Sequence, residues 1–203
     1  MGNLLSVRRG LENCGAIVKV TADPNIVLTA SKVVLPGVGS FANGMAELSY
    51  RGLDEVVREI VTRGTPLLGI CLGMQMLLDE SEEFGFNKGL GLISGRVLPI
   101  PTISIDSQTQ KIPHIGWTDL IKTQICETWD GTILQGVKPG EAVYFVHSFM
   151  AVPVDPRFRI ADCNYGGIPI SSVIERENVY GCQFHPEKSG KVGLKILSRF
   201  LML

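Results

Sequence analysis

One stretch of this chain reads Leu67-Leu68-Gly69-Ile70-Cys71-Leu72-Gly73-Met74-Gln75, and it contains the clearest structural signal in the sequence. The apolar run over 66–70 is typical of a buried strand, and residues 74–78 follow with a helical pattern. One glycine stands two residues before Cys71 and another stands two residues after it. Strand, sharp turn and helix in this order predict a nucleophile elbow, with the thiol of Cys71 in the place of a serine hydroxyl.

The residues before the elbow predict an alternation of helices and strands. We expect an amphipathic helix over 3–13 and a second helix over 53–61, ended by glycine and proline. Between them, two segments rich in β-branched residues, 16–20 and 32–35, are predicted to be short strands. This alternation indicates a mostly parallel central sheet with helices on both faces.

The residues after the elbow have a different character. Several apolar segments are separated by Gly, Pro and Asp, and they predict antiparallel strands on the flank of the parallel sheet. These candidate strands are 97–98, 118–121, 142–146, 159–162, 169–174 and 179–183. A final helix is expected over 188–203, and residues 81–116 are expected to be largely loop. The predicted fold class is therefore α/β, as one domain over 1–203.

The composition excludes several classes of protein. The 203 residues are 45% hydrophobic and 19% charged, which is typical of a globular chain, and the net charge of -1 offers no basic surface for nucleic acid. No apolar run approaches the roughly 20 residues of a membrane span. Five cysteines without a C-x-x-C pair favour reduced thiols and a cytoplasmic location. With three histidines and no clustered thiols, neither a metal site nor a cofactor is predicted.

A base and a carboxylate for Cys71 are available in the segment Gln183-Phe184-His185-Pro186-Glu187. If Pro186 keeps this segment extended, residues two apart share a face, and Glu187 can then orient the ring of His185. The other ring nitrogen would face the sulfur, and an imidazolium together with the helix N-terminus after Cys71 would favour the thiolate. The predicted catalytic residues are Cys71, His185 and Glu187.

Each of these features also has a structural interpretation. A single cysteine in an apolar run is usually a small buried hydrophobic residue, and a single histidine is more often structural than catalytic. We favour catalysis because the structural interpretation must explain two coincidences at once: the cysteine between two glycines at a strand–helix junction, and the histidine followed by a carboxylate two residues later. The remaining histidines, His114 and His147, are predicted to be structural.

Two further segments remain open between a structural and a functional interpretation. The glycines of Pro36-Gly37-Val38-Gly39 suit a turn that ends a strand, or backbone N–H groups that join Leu72 in an oxyanion hole. They do not match a dinucleotide-binding fingerprint. The acidic run over 79–83 is either a solvated helix end or the source of a carboxylate for a substrate ammonium group.

These motifs resemble those of the class I, triad-type glutamine amidotransferases, with Cys71 in the G-x-C-x-G elbow and the H-P-E segment at 185–187. Within that class the chain is similar to the family of glutaminase subunits of imidazole glycerol phosphate synthase. The segments that carry this likeness span nearly the whole chain: Met1-Gly2-Asn3, Pro36-Gly37-Val38-Gly39, 69–75, 112–117, 144–148 and 185–189.

The resemblance implies an activity, a substrate and a partner. Cys71 would attack the carboxamide of glutamine, and the released ammonia would pass to a (β/α)-barrel cyclase subunit that makes imidazole glycerol phosphate and aminoimidazole carboxamide ribotide in histidine biosynthesis. The residues implied to contact glutamine are Gly37, Val38, Gly39, Leu72, Gln75, Glu83, Ser148 and Phe149. Those implied to face the partner are Asn3, Trp117 and Lys188. Glu83 is the candidate for the ammonium group.

One departure and two alternatives accompany the resemblance. Family members usually begin with a short apolar strand, which we expect to be missing here and to leave a gap beside the elbow strand. The alternatives are a glutaminase that serves a different synthase and a catalytically impaired subunit that only binds the cyclase. Because Val38 lies between two glycines, rotation of its peptide is a further hypothesis for how the oxyanion hole is completed.

Overall fold

The computed structural model of this chain describes residues 4–203. In chain order the α-helices of this part are α1 (Leu4–Asn13), α2 (Pro24–Leu28), α3 (Phe41–Tyr50), α4 (Leu53–Thr62), α5 (Leu72–Met76) and α6 (Gly190–Met202). Single 3₁₀ turns are formed by Pro156–Phe158 and Pro186–Lys188. Helices α1, α4 and α6 match the predicted helices, whereas α2 and α3 lie in a region for which no helix is predicted.

The strands are short, and most of them follow the elbow. In chain order they are β1 (Val33–Gly37), β2 (Leu67–Cys71), β3 (Glu80–Ser81), β4 (Asn87–Lys88), β5 (Gly95–Pro99), β6 (His114–Asp119), β7 (Ile121–Lys122), β8 (Ala142–His147), β9 (Phe149–Pro153), β10 (Arg159–Tyr165), β11 (Ile168–Arg176) and β12 (Val179–Cys182). The predicted strand over 118–121 is divided between β6 and β7 at Leu120, which is fully buried.

The main sheet contains six strands in the order β1-β2-β12-β11-β10-β7. β1, β2 and β12 are parallel, and Gly69 of β2 lies opposite Leu35 on one side and Gly181 on the other. The pairs β12-β11, β11-β10 and β10-β7 are antiparallel. The prediction of an α/β fold with antiparallel strands on the flank of a parallel core is confirmed, but the parallel strands form half of the sheet and not most of it.

Helices cover both faces of this sheet, as predicted. On one face, α1 and α6 pack through residues such as Leu11 and Phe200 against a core that includes Leu68. On the other face, α3, α4 and α5 pack through residues such as Ile60 against a core that includes Leu67. Leu67 and Leu68 are both fully buried because successive residues of a strand point to opposite faces.

A two-stranded sheet, β6-β8, and a four-stranded sheet, β4-β3-β5-β9, complete the flank, and the ends of β8 and β9 carry one wall of the functional site. β6 pairs with β8, which places His114 opposite His147. β5 pairs with β9, and the chain passes from β8 to β9 through the single residue Ser148. The ends of β8 and β9 are therefore held in place by two different neighbouring strands.

The predicted strand over 16–20 is wrong. These residues have no regular secondary structure, and the side chain of Ile17 is fully exposed while Val20 is more than half exposed. β-Branched residues favour a strand only where a neighbouring strand supplies hydrogen bonds and buries one face. Within the described part of the chain, 16–20 has no such neighbour.

The expected gap beside the elbow strand is also wrong. β2 has a hydrogen-bonded neighbour on each side, and β1 occupies one of those places in register from Val33–Leu67 to Gly37–Cys71. Direct pairing of β1 with β2 satisfies the backbone groups that a gap would leave exposed. Over residues 4–203, the edges of this sheet are β1 and β7, so β2 is an interior strand.

The helices of residues 4–203 lack the combination of length and apolar character that a membrane crossing requires.

Candidate active site

Cys71 lies at the junction of β2 and α5, where the backbone turns sharply. It is the last residue of β2 and directly precedes the first residue of α5, Leu72. Its backbone angles are φ 55° and ψ -111°, a combination that L-residues rarely adopt. The geometry is that of a nucleophile elbow, which presents the sulfur at the end of a buried strand.

The two glycines around the cysteine are required by close backbone packing. A Cβ on Gly73 would lie 1.8 Å from the carbonyl oxygen of Leu35 in β1, and a Cβ on Gly69 would lie 2.7 Å from the carbonyl oxygen of Gly73. Any side chain at either position would push α5 away from the strands beneath it. The glycine spacing in the sequence therefore reflects the sharpness of the turn.

His185 and Glu187 form a buried pair next to the elbow. The Nδ1 atom of His185 lies 2.8 Å from Oε1 of Glu187, and both side chains are almost completely buried. The expectation that Pro186 keeps this segment extended is wrong, because Pro186–Lys188 forms a 3₁₀ turn. Proline is well suited to the first position of a helical turn, and this turn brings the carboxylate back to the ring.

The pKa of His185 is raised from 6.5 to about 9. Burial alone would lower this pKa, but hydrogen bonds with Cys71 and Glu187 and the negative charges of those two groups outweigh burial. The imidazole is thus held between the thiol and the carboxylate in an environment that favours the imidazolium. The structure brings all three predicted catalytic side chains together.

Cys71 and His185 line a cleft of about 410 Å³, a volume suited to a small ligand. Most of the residues implied to contact glutamine line the same cleft. These are Val38, Gly39, Leu72, Gln75, Glu83, Ser148 and Phe149. Gly37 is not part of this lining in the described chain: a Cβ there would lie 2.9 Å from Cβ of Leu72, so Gly37 packs against the start of α5.

Glu83 connects the cleft to the segment that contains the paired glycines. Its Oε2 atom accepts a hydrogen bond from the backbone N–H of Phe41, the first residue of α3. Gly39 lies two residues before Phe41 and has a φ of 100°, in the region that favours glycine. Because a carboxylate has several acceptor positions, Glu83 can hold this N–H and still accept from a substrate ammonium group.

The sequence-based prediction missed two polar side chains at the site, Gln183 and His147. Gln183 is fully buried, and its Nε2 atom lies 3.9 Å from Sγ of Cys71. One signal was available for it: Gln183 stands two residues before His185, and such residues share a face of an extended chain. His147, predicted to be structural, lies in the wall of the cleft.

His147 is hydrogen-bonded to the other histidine of the flank, His114. Nδ1 of His147 lies 2.8 Å from the carbonyl oxygen of Phe149, so this nitrogen carries the proton. Nε2 of His147 then accepts from Nδ1 of His114 across 3.0 Å, and Nε2 of His114 accepts from the hydroxyl of Thr118. Burial lowers the pKa of each imidazole to about 4, so both remain neutral.

The residues implied to face a partner lie on the outer side of the same flank. Trp117 is more than half exposed, and its ring lies 6.0 Å from the ring of Tyr144. Nζ of Lys188 lies 6.0 Å from the centre of the same Tyr144 ring. Trp117 and Lys188 are thus brought together, whereas Asn3 lies outside the described residues.

A cysteine at a nucleophile elbow, beside a buried histidine–glutamate pair in an α/β fold with a mixed sheet, defines a class of thiol enzymes. The model of the family "Glutamine amidotransferase class-I" matches residues 3–203, and the chain belongs to this family.

Individual proteins of this family are similar to the chain along nearly its whole length. Imidazole glycerol phosphate synthase subunit HisH 1 of Legionella pneumophila (strain Lens) is 50% identical over 203 residues, which are 100% of this chain and 95% of that protein. Imidazole glycerol phosphate synthase subunit HisH of Geobacillus sp. (strain WCH70) is 46% identical over 200 residues, 98% of this chain and 92% of that protein.

Solved structures share the fold at low sequence identity. A glutamine amidotransferase crystal structure superimposes with a TM-score of 0.72 and 17% identity over 99% of this chain and 93% of the other. PurLQS of Thermotoga maritima gives a TM-score of 0.69 and 19% identity over 99% of this chain and 92% of the other.

Proposed function

We propose that this chain is the glutaminase subunit of an imidazole glycerol phosphate synthase. It hydrolyses glutamine to glutamate and ammonia and delivers the ammonia to a cyclase subunit in histidine biosynthesis. The observation that carries the proposal is the hydrogen-bonded series Cys71–His185–Glu187 at the elbow, with 2.8 Å between Nδ1 of His185 and Oε1 of Glu187. Relatives of nearly the same length, named as subunits of that synthase, support the choice of substrate and pathway.

The first half of the reaction forms a thioester. The thiol proton of Cys71 moves to His185, and the sulfur attacks the carboxamide carbon of glutamine, so that an S–C bond forms and the carbonyl oxygen becomes an oxyanion. His185 then gives its proton to the nitrogen as the C–N bond breaks, and ammonia leaves. The raised pKa of His185, about 9, supports this assignment because the imidazolium is the populated form at neutral pH.

The second half releases glutamate. His185, now neutral, takes a proton from a water molecule, which attacks the thioester carbon; the C–S bond breaks and Cys71 recovers its proton. Glu187 holds the ring in one orientation throughout and stabilises its positive charge. In this scheme Glu83, which lines the same cleft as Cys71, binds the ammonium group of glutamine.

The oxyanion is assigned to backbone N–H groups at the junction of two segments. Leu72 begins α5 directly after the nucleophile, and Val38 and Gly39 line the same cleft from the end of β1. One such donor contributes roughly 3–4 kcal/mol to stabilisation of the transition state. Rotation of the peptides around Val38 completes the hole when the partner is active.

The Gly37→Pro variant tests this rotation, since proline restricts the φ angle next to Val38. Gly37→Ala is the matched control, because it adds the same Cβ against the start of α5 but leaves φ free. We expect partner-stimulated hydrolysis to be lost in Gly37→Pro to a much greater extent than in Gly37→Ala, while Cys71 remains reactive towards a small alkylating agent in both. Full stimulation in Gly37→Pro would contradict the proposed rotation and leave the triad assignment unaffected.

The partner is a (β/α)-barrel cyclase, and its docking surface is assigned to Asn3, Trp117 and Lys188. An exposed tryptophan beside a tyrosine ring supports this assignment, because aromatic residues are enriched at protein interfaces. Lys188 lies over the same tyrosine ring. The same face lies next to the triad, since Lys188 directly follows Glu187. The proposed location is the cytoplasm, which is consistent with five free cysteines.

The decisive experiment measures ammonia release from glutamine by the wild type and by Cys71→Ala, each with and without a barrel cyclase. We expect hydrolysis by the wild type, stimulation by the cyclase, and loss of both in Cys71→Ala. Stimulation only by a different synthase would identify a glutaminase of another pathway. Cyclase binding by a wild type that never hydrolyses glutamine would identify a subunit that only binds.

A further inference from the structure

Gln183 is fully buried and lies beside Cys71, which lines the cleft. It directly follows β12, and its backbone N–H donates to the carbonyl oxygen of Ser172 in β11 at 2.9 Å. The neighbouring strand therefore holds the backbone of Gln183 in place. Its side chain extends to the elbow, where Nε2 lies 3.9 Å from Sγ of Cys71.

The orientation of the Gln183 amide is determined by a second glutamine. Nε2 of Gln75 lies 3.0 Å from the carbonyl oxygen of Phe149 and 3.0 Å from Oε1 of Gln183. A backbone carbonyl only accepts hydrogen bonds, so Gln75 must present its NH₂ group to both neighbours. Gln183 must then present its oxygen to Gln75 and its NH₂ group to Cys71. The opposite orientation would place two NH₂ groups against each other.

The sulfur of Cys71 gains most from this arrangement when it is deprotonated, because the sulfur of a neutral thiol is only a weak acceptor. As a thiol, Cys71 can donate to the carbonyl oxygen of Val146, which lies 3.9 Å away. As a thiolate it only accepts, so the Val146 carbonyl offers it nothing and the N–H of Gln183 becomes a charge-assisted donor. A hydrogen bond to the charged form of a group favours that form.

We propose that Gln183 stabilises the thiolate of Cys71 by donating a hydrogen bond to its sulfur. Gln75 is a positioning residue that acts through Gln183, because its own contact with the Phe149 carbonyl determines which end of the Gln183 amide faces the sulfur. The inference rests on the proposed function, in which Cys71 is the nucleophile. No bond of either glutamine changes, and the thiol proton moves to His185.

The test is the pH dependence of Cys71 alkylation by iodoacetamide, followed on the Cys71 peptide by mass spectrometry in the absence of glutamine. In Gln183→Met, which has a similar length and no donor, we expect the pH profile to move up by about one unit, so that alkylation is about ten times slower on the rising part of the profile. Gln183→Glu should move the profile further, because a carboxylate cannot donate and adds a negative charge.

Two further variants separate this role from a general packing effect. Gln75→Met should move the profile in the same direction by a smaller amount, because Gln183 then loses the partner that orients it. Ser172→Ala removes a buried hydroxyl from the residue whose backbone carbonyl accepts the N–H of Gln183, and it should leave the profile unchanged. The other titratable groups at the cleft are His185, His147 and Glu83, and all of them are retained in every variant.

A folded Gln183→Met with the wild-type alkylation profile would overturn the inference. If that variant does not fold, the wild type provides the test: the side-chain amide signals of Gln183 in the NMR spectrum should titrate with the alkylation midpoint, and they should not do so in Cys71→Ala. Signals that are insensitive to pH would also overturn it. Neither measurement requires glutamine turnover, so failure of the proposed function would be seen separately.

Discussion

Cys71 has an uncommon backbone conformation for a residue with a side chain, with φ 55° and ψ -111°. A residue held in such a region costs of order 1–3 kcal/mol, and the surrounding structure must compensate. The compensation here is the burial of β2, whose five residues are all buried, and the tight contact of Gly73 with β1. Because of this strain, the usual order of stability of alanine and glycine is expected to be reversed at residue 71.

At residue 71 glycine should be more stable than alanine. We expect Cys71→Gly to have a free energy of unfolding about 1 kcal/mol above that of Cys71→Ala, because glycine adopts positive φ without strain. Urea denaturation of both variants measures the difference. The matched control is Ala46→Gly on the exposed face of α3, where glycine should instead lower stability by about 1 kcal/mol. If the alanine form were more stable than the glycine form at both positions, the backbone of the elbow would not be strained.

Glu187 is the second residue whose role can be tested by a conservative change. Glu187→Gln keeps the size of the side chain but removes the charge beside His185, so we expect kcat to fall roughly 10²- to 10⁴-fold. In the wild type, hydrolysis should decline as pH rises through about 9, where the imidazolium loses its proton. In Glu187→Gln this decline should begin at lower pH, because one cause of the raised pKa is gone.

The pH profile of glutamine hydrolysis for the two proteins is the measurement. A lower rate in Glu187→Gln with an unchanged alkaline decline would show that the carboxylate only orients the ring. A wild-type profile without any decline up to pH 10 would contradict the raised pKa of His185.

At the scale of elements, the elbow depends on the close approach of α5 to two parallel strands. The methyl group of an alanine at 73 would lie 1.8 Å from the Leu35 carbonyl oxygen, and that oxygen belongs to a hydrogen-bonded strand. Since backbone cannot move aside as a side chain can, α5 itself would have to shift. Its displacement would move Leu72 and the backbone N–H proposed for the oxyanion hole.

We therefore expect Gly73→Ala to lower the free energy of unfolding by roughly 3 kcal/mol and to abolish hydrolysis. Gly10→Ala in α1 is the matched control for stability, because its added methyl would meet the end of the Leu197 side chain at 3.0 Å and Cβ of Glu187 at an ordinary contact distance of 3.4 Å. That variant should stay within about 1 kcal/mol of the wild type, since the better helix propensity of alanine offsets the tight contact. Thermal and urea unfolding of both variants compare these effects.

At the scale of the whole molecule, burial of the His114–His147 pair links stability to acid. The pKa of each is lowered from 6.5 to about 4, so between these values the unfolded chain binds protons that the folded chain does not. The free energy of unfolding should therefore fall as pH drops from about 6.5 towards 4, by about 3 kcal/mol at pH 4 for one such imidazole.

Other groups contribute with known sign. Burial raises the pKa of Glu175 to about 7, so its contribution to the free energy of unfolding is lost as pH rises through about 7. This change is opposite in sign to that of the His114–His147 pair, whose contribution is lost as pH falls. The raised pKa of His185 contributes stability that is fully present below 6.5 and is lost as pH rises through about 9. A variant that lacks one of the two histidines is therefore needed to separate the contribution of the His114–His147 pair from those of Glu175 and His185.

Urea denaturation of wild type and His114→Gln at pH 7 and pH 5 provides this comparison. We expect His114→Gln to be less stable at pH 7, because a buried hydrogen-bonded ring is lost, but to lose less stability between pH 7 and pH 5. Identical losses in the two proteins would show that the pair does not control the acid response.

The elements that the sequence predicted well are those whose signal is local. The strand at 66–70, the glycine bracket and the helix after Cys71 depend on residues a few positions apart, and the structure contains each of them. The strand over 16–20 has an equally good local pattern and does not form, because a strand requires a neighbour that the pattern cannot report. The prediction of an extended segment at Pro186 was wrong for a similar reason: proline suits both an extended chain and the start of a helical turn, and the local pattern does not distinguish them.

The amino-acid sequence by itself determined the α/β class, the elbow and the identity of the candidate triad, because hydrophobic period, glycine spacing and the H-P-E segment are readable from neighbours along the chain. Only the tertiary structure decided that Gln75 orients Gln183 across 108 residues and that His114 pairs with His147. Those contacts depend on the order of strands in the sheet, and that order follows from packing of the whole chain and not from any local pattern.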